Sequence, residues 1–63
     1  MSNLFDIFRL DRAGVRWLES AESLDYAKTR IHELAVSSPG EYLLLDQKTG
    51  TKLVIKPARV DAR

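Results

Sequence analysis

Hydrophobic residues occur along the chain in four short runs and in one stripe with helical spacing. The first two runs, residues 4–10 and 15–21, are separated by residues 11–14, whose aspartate and glycine are typical of a tight turn. This pattern predicts a β-hairpin. Its register stays open: a three-residue loop would set Arg9 opposite Trp17, where a cation–π contact can form.

Other registers of this hairpin bring different charged residues together. A two-residue loop sets Asp11 opposite Arg16, and one register brings the carboxylates of Asp6 and Glu19 close enough to shift their pKa values. We expect instead that these two carboxylates lie in solvent or pair with Arg16 or Arg9.

A helix is predicted after the first hairpin. Ser23 is placed to cap it, because a serine hydroxyl accepts hydrogen bonds from the free N–H groups of the first turn, and Asp25 suits the positive end of the helix dipole. Pro39 and Gly40 stop the helix after about 14 residues. An apolar stripe for packing on a sheet runs along it: Leu24, Ala27, Ile31, Leu34 and Ala35.

The last two hydrophobic runs predict a second hairpin. Residues 48–50 fit a three-residue loop with Gly50 in the left-handed position, and Pro57 ends the last strand because it has no N–H to donate. The register that this loop implies joins one opposite-charge pair to three apolar pairs: Asp46 with Lys52, Leu45 with Leu53, Leu44 with Val54, and Leu43 with Ile55.

The predicted order of elements is β-β-α-β-β, an α+β fold. Two hairpins form a four-stranded antiparallel-type sheet, and the one helix packs on one face of it. Residues 1–57 form this single domain, and residues 58–63 are predicted to be a flexible basic tail. The order of the strands in the sheet stays open.

One helix covers only one face of such a sheet, yet large apolar side chains are predicted on both. The register above places Tyr42, Leu44 and Val54 on the face that the helix leaves uncovered, the helix-free face, and the first hairpin adds Phe8 and Trp17. An exposed antiparallel face normally carries polar residues. This surplus predicts that the helix-free face is buried against another molecule. The residues predicted beneath the helix are Leu43, Leu45, Leu53 and Ile55.

Composition narrows the class of protein. The 63 residues include no cysteine and one histidine, with a formal net charge of +1, which excludes disulfides and thiolate metal sites and predicts a marginal single core. No apolar run is long enough to span a bilayer, and residues 1–10 do not resemble a signal peptide. We expect a cytoplasmic protein that does not enter a membrane.

Charge is unevenly distributed along the chain. Residues 1–47 carry five bases and eight acids, whereas residues 48–63 carry five bases and one acid. A basic C-terminal segment can attract phosphate groups, although a solvated edge strand and tail explain the same pattern. The candidate phosphate contacts are Lys48, Lys52, Lys56 and Arg59.

Five short stretches carry a helix cap, a helix stop and a glycine turn. They are FDIFR at 5–9, VRWL at 15–18, AESL at 21–24, SPGEY at 38–42 and DQKTG at 46–50. Through them, residues 5–56 resemble a set of short, uncharacterised bacterial proteins of β-β-α-β-β form. The resemblance implies this fold and a bacterial cytoplasmic setting, and it brings no catalytic residue with it.

Residues that could carry catalysis are few. The three glycines lie far apart, so there is no glycine-rich phosphate loop. His32, the one imidazole, is predicted on the polar side of the helix without further ligands for a metal. We therefore expect no enzyme, no cofactor and no metal.

The sequence thus favours a small, non-enzymatic interaction module that forms a homodimer through the helix-free face or binds another protein. The alternative is a nucleic-acid-binding protein, in which aromatic side chains of the sheet stack on bases and the basic C-terminal segment holds phosphates. The predicted interface residues are Phe8, Trp17, Tyr42, Leu44 and Val54.

Overall fold

The computed structural model describes residues 4–56 and has the predicted β-β-α-β-β order. Its elements are β1 (Phe5–Asp11), β2 (Gly14–Ala21), α1 (Leu24–Ser37), β3 (Glu41–Asp46) and β4 (Lys52–Ile55). The predicted tail, residues 58–63, lies outside the described residues, as does Pro57. Within residues 4–56, no helix is long and apolar enough to cross a membrane.

The four strands form one antiparallel sheet in the order β2-β1-β3-β4. β1 pairs with β2 on one side and with β3 on the other, so the two hairpins are joined through their first strands. Because β2 and β3 are both antiparallel to β1, they run in the same direction, and α1 connects them across β1. This connection explains why α1 packs mainly on β1 and β2.

The helix begins at the predicted cap and has the predicted length. Ser23 lies in extended backbone conformation, and its hydroxyl oxygen accepts a hydrogen bond from the N–H of Tyr26 at 3.1 Å. α1 has 14 residues. Leu24, the first residue of the predicted apolar stripe, is exposed and does not pack on the sheet. The rest of the predicted stripe packs towards the sheet, with Ala27 and Ile31 buried and Leu34 and Ala35 half-buried.

The hydrophobic core lies between α1 and the sheet. Tyr42 is 1% exposed there, and its hydroxyl donates a hydrogen bond of 2.5 Å to the carbonyl oxygen of Ser38 just after the helix. A buried tyrosine normally needs such a partner for its polar end. The buried hydrophobic residues of the described chain are Ile7, Ala21, Ala27, Ile31, Tyr42 and Leu44.

The first hairpin has a two-residue loop, residues 12–13, which lies one residue earlier than the two-residue loop weighed from the sequence. Asp11 lies opposite Gly14, and the Asp11 carboxylate accepts a hydrogen bond from the N–H of Ala13 at 2.8 Å. Arg9 consequently lies opposite Arg16. Neither cross-strand contact that we weighed from the sequence forms in this register.

A β-bulge shifts the register of this hairpin between Ile7 and Phe8. Beyond it, Asp6 lies opposite Ser20, and Glu19 lies opposite Ile7. Since paired residues share a face and successive residues alternate, Asp6 and Glu19 lie on opposite faces of the sheet. The carboxylate pair does not form.

The second hairpin has a four-residue loop, residues 47–50, where we predicted three residues. Gly50 takes the predicted left-handed conformation, with φ at 79°, and its N–H donates to the carbonyl of Asp46 at 2.7 Å. The N–H of Asp46 donates to the carbonyl of Thr51 at 2.9 Å, which closes the loop. The resulting pairs are Tyr42 with Ile55, Leu43 with Val54, Leu44 with Leu53, and Leu45 with Lys52.

This difference of one residue reverses the predicted faces of β3, since side chains alternate along a strand. Tyr42 and Leu44, predicted on the helix-free face, are 1% and 2% exposed beneath α1. Both are therefore removed from the predicted interface, because a side chain buried in its own core cannot contact a partner. Leu43 and Leu45, predicted beneath the helix, lie on the helix-free face with Val54.

Candidate interaction face

The helix-free face of the sheet is the candidate functional site, and its side chains lie in three rows across the strands. Because directly paired residues share a face, the registers place Trp17, Phe8, Leu43 and Val54 in one row that crosses all four strands. We call it the apolar row. Of the five predicted interface residues, three (Phe8, Trp17 and Val54) lie in it.

The two ends of the apolar row are open to solvent. Trp17 on β2 is 56% exposed and Val54 on β4 is 50% exposed, whereas Phe8 and Leu43 between them are half-buried. The indole N–H of Trp17 donates a hydrogen bond of 3.2 Å to the carboxylate of Asp6. The polar atom of Trp17 thus has a partner within the protomer, and the rest of the ring is available for apolar contact.

The row nearer the β1–β2 turn is half apolar and half charged. Val15, which is 60% exposed, lies opposite Leu10, and Leu10 lies opposite Glu41. Lys56 follows β4 directly, and its ammonium group, 3.7 Å from the Glu41 carboxylate, completes the row. We call these four residues the turn row.

The row at the other end of the face contains Ser20, Asp6, Leu45 and Lys52, and we call it the carboxylate row. The carboxylate of Asp6 accepts hydrogen bonds from the Ser20 hydroxyl at 2.6 Å and from the Gln47 amide at 2.7 Å, besides the one from the indole. These bonds, above all the one from Ser20, hold the pKa of Asp6 below its ordinary value against the opposing effect of burial.

The charges of the described helix-free face are balanced. Asp6 and Glu41 carry the negative charges, and Lys52 and Lys56 carry the positive ones. The face is therefore an apolar centre flanked by both signs of charge, which does not favour a strongly charged ligand of either sign.

The candidate phosphate contacts do not form one basic patch. Lys48 lies in the β3–β4 loop, and Lys52 and Lys56 are four residues apart on or next to the edge strand β4, where Lys56 contacts an acid. Four residues of strand separate two side chains by about 13 Å. Arg59 lies outside the described residues.

The ionic residues on the helix side fasten α1 to the sheet. Arg30 donates two hydrogen bonds, of 2.8 and 2.9 Å, to the carboxylate of Glu19 on β2, and a third of 2.7 Å to Glu33. The bonds from Arg30 lower the pKa of Glu19 despite partial burial. This cluster ties two elements together and leaves no carboxylate poised for proton transfer.

Metal-binding chemistry finds no support in the described residues. His32 is exposed on α1, as predicted. Within residues 4–56, no three histidine, cysteine, aspartate or glutamate side chains are grouped so that they could hold a metal ion.

Comparison with protein-family models, with curated proteins and with solved structures gives no match for this chain.

The predicted interface left out four apolar members of this face: Leu10, Val15, Leu43 and Leu45. The alternation of Leu10 with Phe8 along β1 and of Val15 with Trp17 along β2 was a usable signal for the first two. No such signal exists for the pair on β3, because residues 42–45 are all hydrophobic and either alternate set fits a buried face.

Proposed function

We propose that this protein is a small, non-enzymatic interaction module that forms a homodimer by stacking the helix-free faces of two sheets. The observation that carries the proposal is the apolar row, which crosses all four strands and is about half exposed at both ends. Contiguous apolar surface of this kind is typical of interaction sites, since an uncovered antiparallel face normally carries polar residues.

The character of the face favours a second copy as the partner. Its charges balance, so two copies meet without a large net repulsion, whereas a nucleic acid would meet the carboxylates of Asp6 and Glu41. Tyr42, one of the three aromatic residues that the nucleic-acid alternative offers for base stacking beside Trp17 and Phe8, is 1% exposed in the core. From strand spacing and rise, the face measures about 19 by 20 Å, which a sheet of the same size covers completely.

The size of the protein supplies a second argument for self-association. A chain of 63 residues with a single core between one helix and one sheet buries a smaller share of its surface than a larger domain does. Covering the second face adds apolar burial at about 25 cal/mol per Å². The dimer is thus expected to be more stable than the monomer.

The edges of the sheet are less suited to pairing than its face. Lys52 opens β4 and Lys56 follows it directly, and β2 is paired to β1 through a bulge. Lysines on an edge strand and bulges both oppose the addition of a strand from another molecule. Stacking of the faces is therefore the favoured mode of association.

Two variants of neighbouring residues test the proposal. Val54 and Leu53 are 50% and 47% exposed on β4 but lie on opposite faces of the sheet. We expect Val54→Glu to weaken the dimer at least about 100-fold, because it places a charge in the buried interface, whereas Leu53→Glu leaves the dissociation constant within about threefold.

The measurement is sedimentation equilibrium of the full chain from about 1 to 200 µM, with twice 7.2 kDa as the mass expected for the dimer. A wild-type monomer over this range, or equal effects of the two variants, would contradict the proposal. So would a monomer that binds a fluorescent single-stranded oligonucleotide with strong salt dependence, the behaviour of the nucleic-acid alternative.

The proposal includes the bacterial cytoplasm as the setting of the homodimer, as the sequence resemblance implies. Fractionation of native cells with an antibody against this chain tests the location, and recovery in the membrane or secreted fraction would exclude it.

A further inference from the structure

We infer that the two sheets of the dimer stack about a two-fold axis parallel to their strands, so that β4 of each protomer lies over β2 of its partner. This inference rests on the proposed function, because it specifies how the two helix-free faces meet. It follows from the placement of charge and of side-chain size on the three rows.

Two sheets that pack face to face with aligned strands have two symmetric arrangements. An axis along the strands reverses the strand order and keeps the rows, so that each row faces its own copy. An axis across the strands keeps the strand order and exchanges the turn row with the carboxylate row. The registers of the sheet therefore give the residue that each side chain meets in either arrangement.

Side-chain size favours the axis along the strands. In that arrangement the apolar row faces the apolar row of the partner in the reverse strand order. Trp17 then meets Val54 of the partner subunit, and Phe8 meets Leu43 of the partner subunit. An aromatic ring then packs against a smaller aliphatic side chain at each of these positions, which fills the space between the layers evenly. The axis across the strands would set indole against indole at β2 and valine against valine at β4, with a gap at the second edge.

Charge independently favours the same axis. With the axis across the strands, β4 faces β4, and Lys52 meets Lys56 of the partner subunit twice, which gathers four ammonium groups at one edge. With the axis along the strands, Lys52 instead meets Ser20 of the partner subunit, next to the partner's Asp6. An ammonium group then lies beside a carboxylate.

The variant Lys52→Glu distinguishes the two arrangements by the sign of its effect. If the axis runs along the strands, the new carboxylate lies near Asp6 of the partner subunit, and we expect the dimer to weaken about tenfold. If it runs across the strands, the new carboxylate meets Lys56 of the partner subunit and the dimer tightens. Lys48→Glu, in the β3–β4 loop beyond the face, is the matched control and is expected to change the dissociation constant less than threefold.

A distance measurement gives an independent readout. The chain has no cysteine, so Ala13→Cys, in the exposed β1–β2 turn, carries a single spin label. From strand spacing, sheet spacing and strand rise, the two labels lie about 14 Å apart for the axis along the strands and about 30 Å apart for the axis across them.

The outcomes separate the two proposals. A dimer whose labels give the shorter distance, weakened by Lys52→Glu, supports the inference. A dimer with the longer distance, or one that Lys52→Glu tightens, overturns the arrangement and leaves the homodimer standing. A protein that stays monomeric, with no dipolar coupling between labels, overturns the homodimer itself.

Discussion

Arg9 joins β1 to the turn that follows α1, and removing its guanidinium group tests how the helix is held on the sheet. One terminal nitrogen donates to the carbonyl oxygen of Pro39 at 2.8 Å, and the other donates to the hydroxyl and, at 3.4 Å, to the carbonyl oxygen of Ser38. The guanidinium carbon lies 5.4 Å from the centre of the Tyr42 ring. The substitution Arg9→Met removes these contacts and keeps an unbranched apolar stem.

The contacts allow a rough magnitude for the loss. Hydrogen bonds from a charged donor contribute about 1.5–3 kcal/mol when well formed, and the value for this partly exposed group lies at the lower end. The contact with Tyr42 adds about 0.5 kcal/mol at an exposed site. Relief of the like-charge pair with Arg16, directly opposite, returns a few tenths of a kcal/mol. We expect Arg9→Met to lower the free energy of unfolding by about 2 kcal/mol.

Arg16→Met is the matched control for Arg9→Met, because Arg16 lies opposite Arg9 on the same face and is exposed. It removes the same like-charge pair and is expected to change the unfolding free energy by about +0.5 kcal/mol or less. Urea unfolding followed by tryptophan fluorescence, with all variants at one protein concentration, measures both. Losses that agree within about 0.5 kcal/mol would refute the reasoning, since Arg9 would then act only as another strand residue.

Three further predictions concern acid stability, the Gly40 turn and the ion pair between α1 and β2. Hydrogen bonds lower the pKa values of Asp6 and Glu19 in the folded state. The stability that these two ionised carboxylates contribute is therefore complete above about pH 5 and is lost as the pH falls through their folded-state pKa values. The urea midpoint should fall between pH 7 and pH 3, and it should fall less steeply for Asp6→Asn. Gly40→Ala should destabilise the fold by about 1–2 kcal/mol more than Gly14→Ala, because a Cβ at Gly40 would lie 2.6 Å from the nearest guanidinium nitrogen of Arg9 and would displace this group from its hydrogen bonds to the turn after α1. A Cβ at Gly14 meets nothing within 4 Å. Equal losses in thermal unfolding would show that only the positive φ matters. A double-mutant cycle with Glu19→Gln and Arg30→Met should give a favourable coupling that shrinks in about 1 M salt, and a salt-independent coupling would exclude an electrostatic origin.

The elements that the sequence predicted correctly depend on local chemistry. The cap at Ser23 and the stop at Pro39 and Gly40 act within one turn of the chain, and they define α1 without reference to the sheet. Gly50 likewise supplies a positive φ whether the loop has three or four residues. The helix bounds and the left-handed conformation of Gly50 were therefore readable from neighbouring residues alone.

The predicted register of the second hairpin was wrong because apolar and polar residues do not alternate along β3. Residues 42–45 are Tyr-Leu-Leu-Leu, so one loop residue more or less leaves apolar side chains on both faces. The contacts that distinguish the two registers lie outside the hairpin: the Tyr42 hydroxyl reaches Ser38 just after the helix, and the ring lies beside Arg9 of β1. The hydrophobic pattern of a single hairpin carries no information about these contacts.

The hydrogen bonds around Asp6 were unpredictable for a related reason. The bulge between Ile7 and Phe8 turns Asp6 and Ser20 into direct partners, and the pairing of β1 with β3 brings in Gln47 from the second hairpin. Each contact depends on a pairing between residues far apart in the chain. The sequence therefore identified Asp6 as a candidate ionic residue and assigned it the wrong neighbours.

The expectation that the helix-free face is buried depends on the number of apolar residues in the strands. It does not depend on which alternate set of β3 residues lies on that face. The observed register places Leu43 and Leu45 on the helix-free face, where we predicted Tyr42 and Leu44. An apolar row that crosses all four strands nevertheless remains there. The exchange of side chains also changed the chemistry of this face, since the aromatic side chain of Tyr42 lies in the core and the aliphatic side chains of Leu43 and Leu45 lie on the surface. The β3 part of this face has no ring on which a base could stack, but its leucines pack readily against another apolar layer. The corrected register therefore favours a protein partner over a nucleic acid more strongly than the predicted one did.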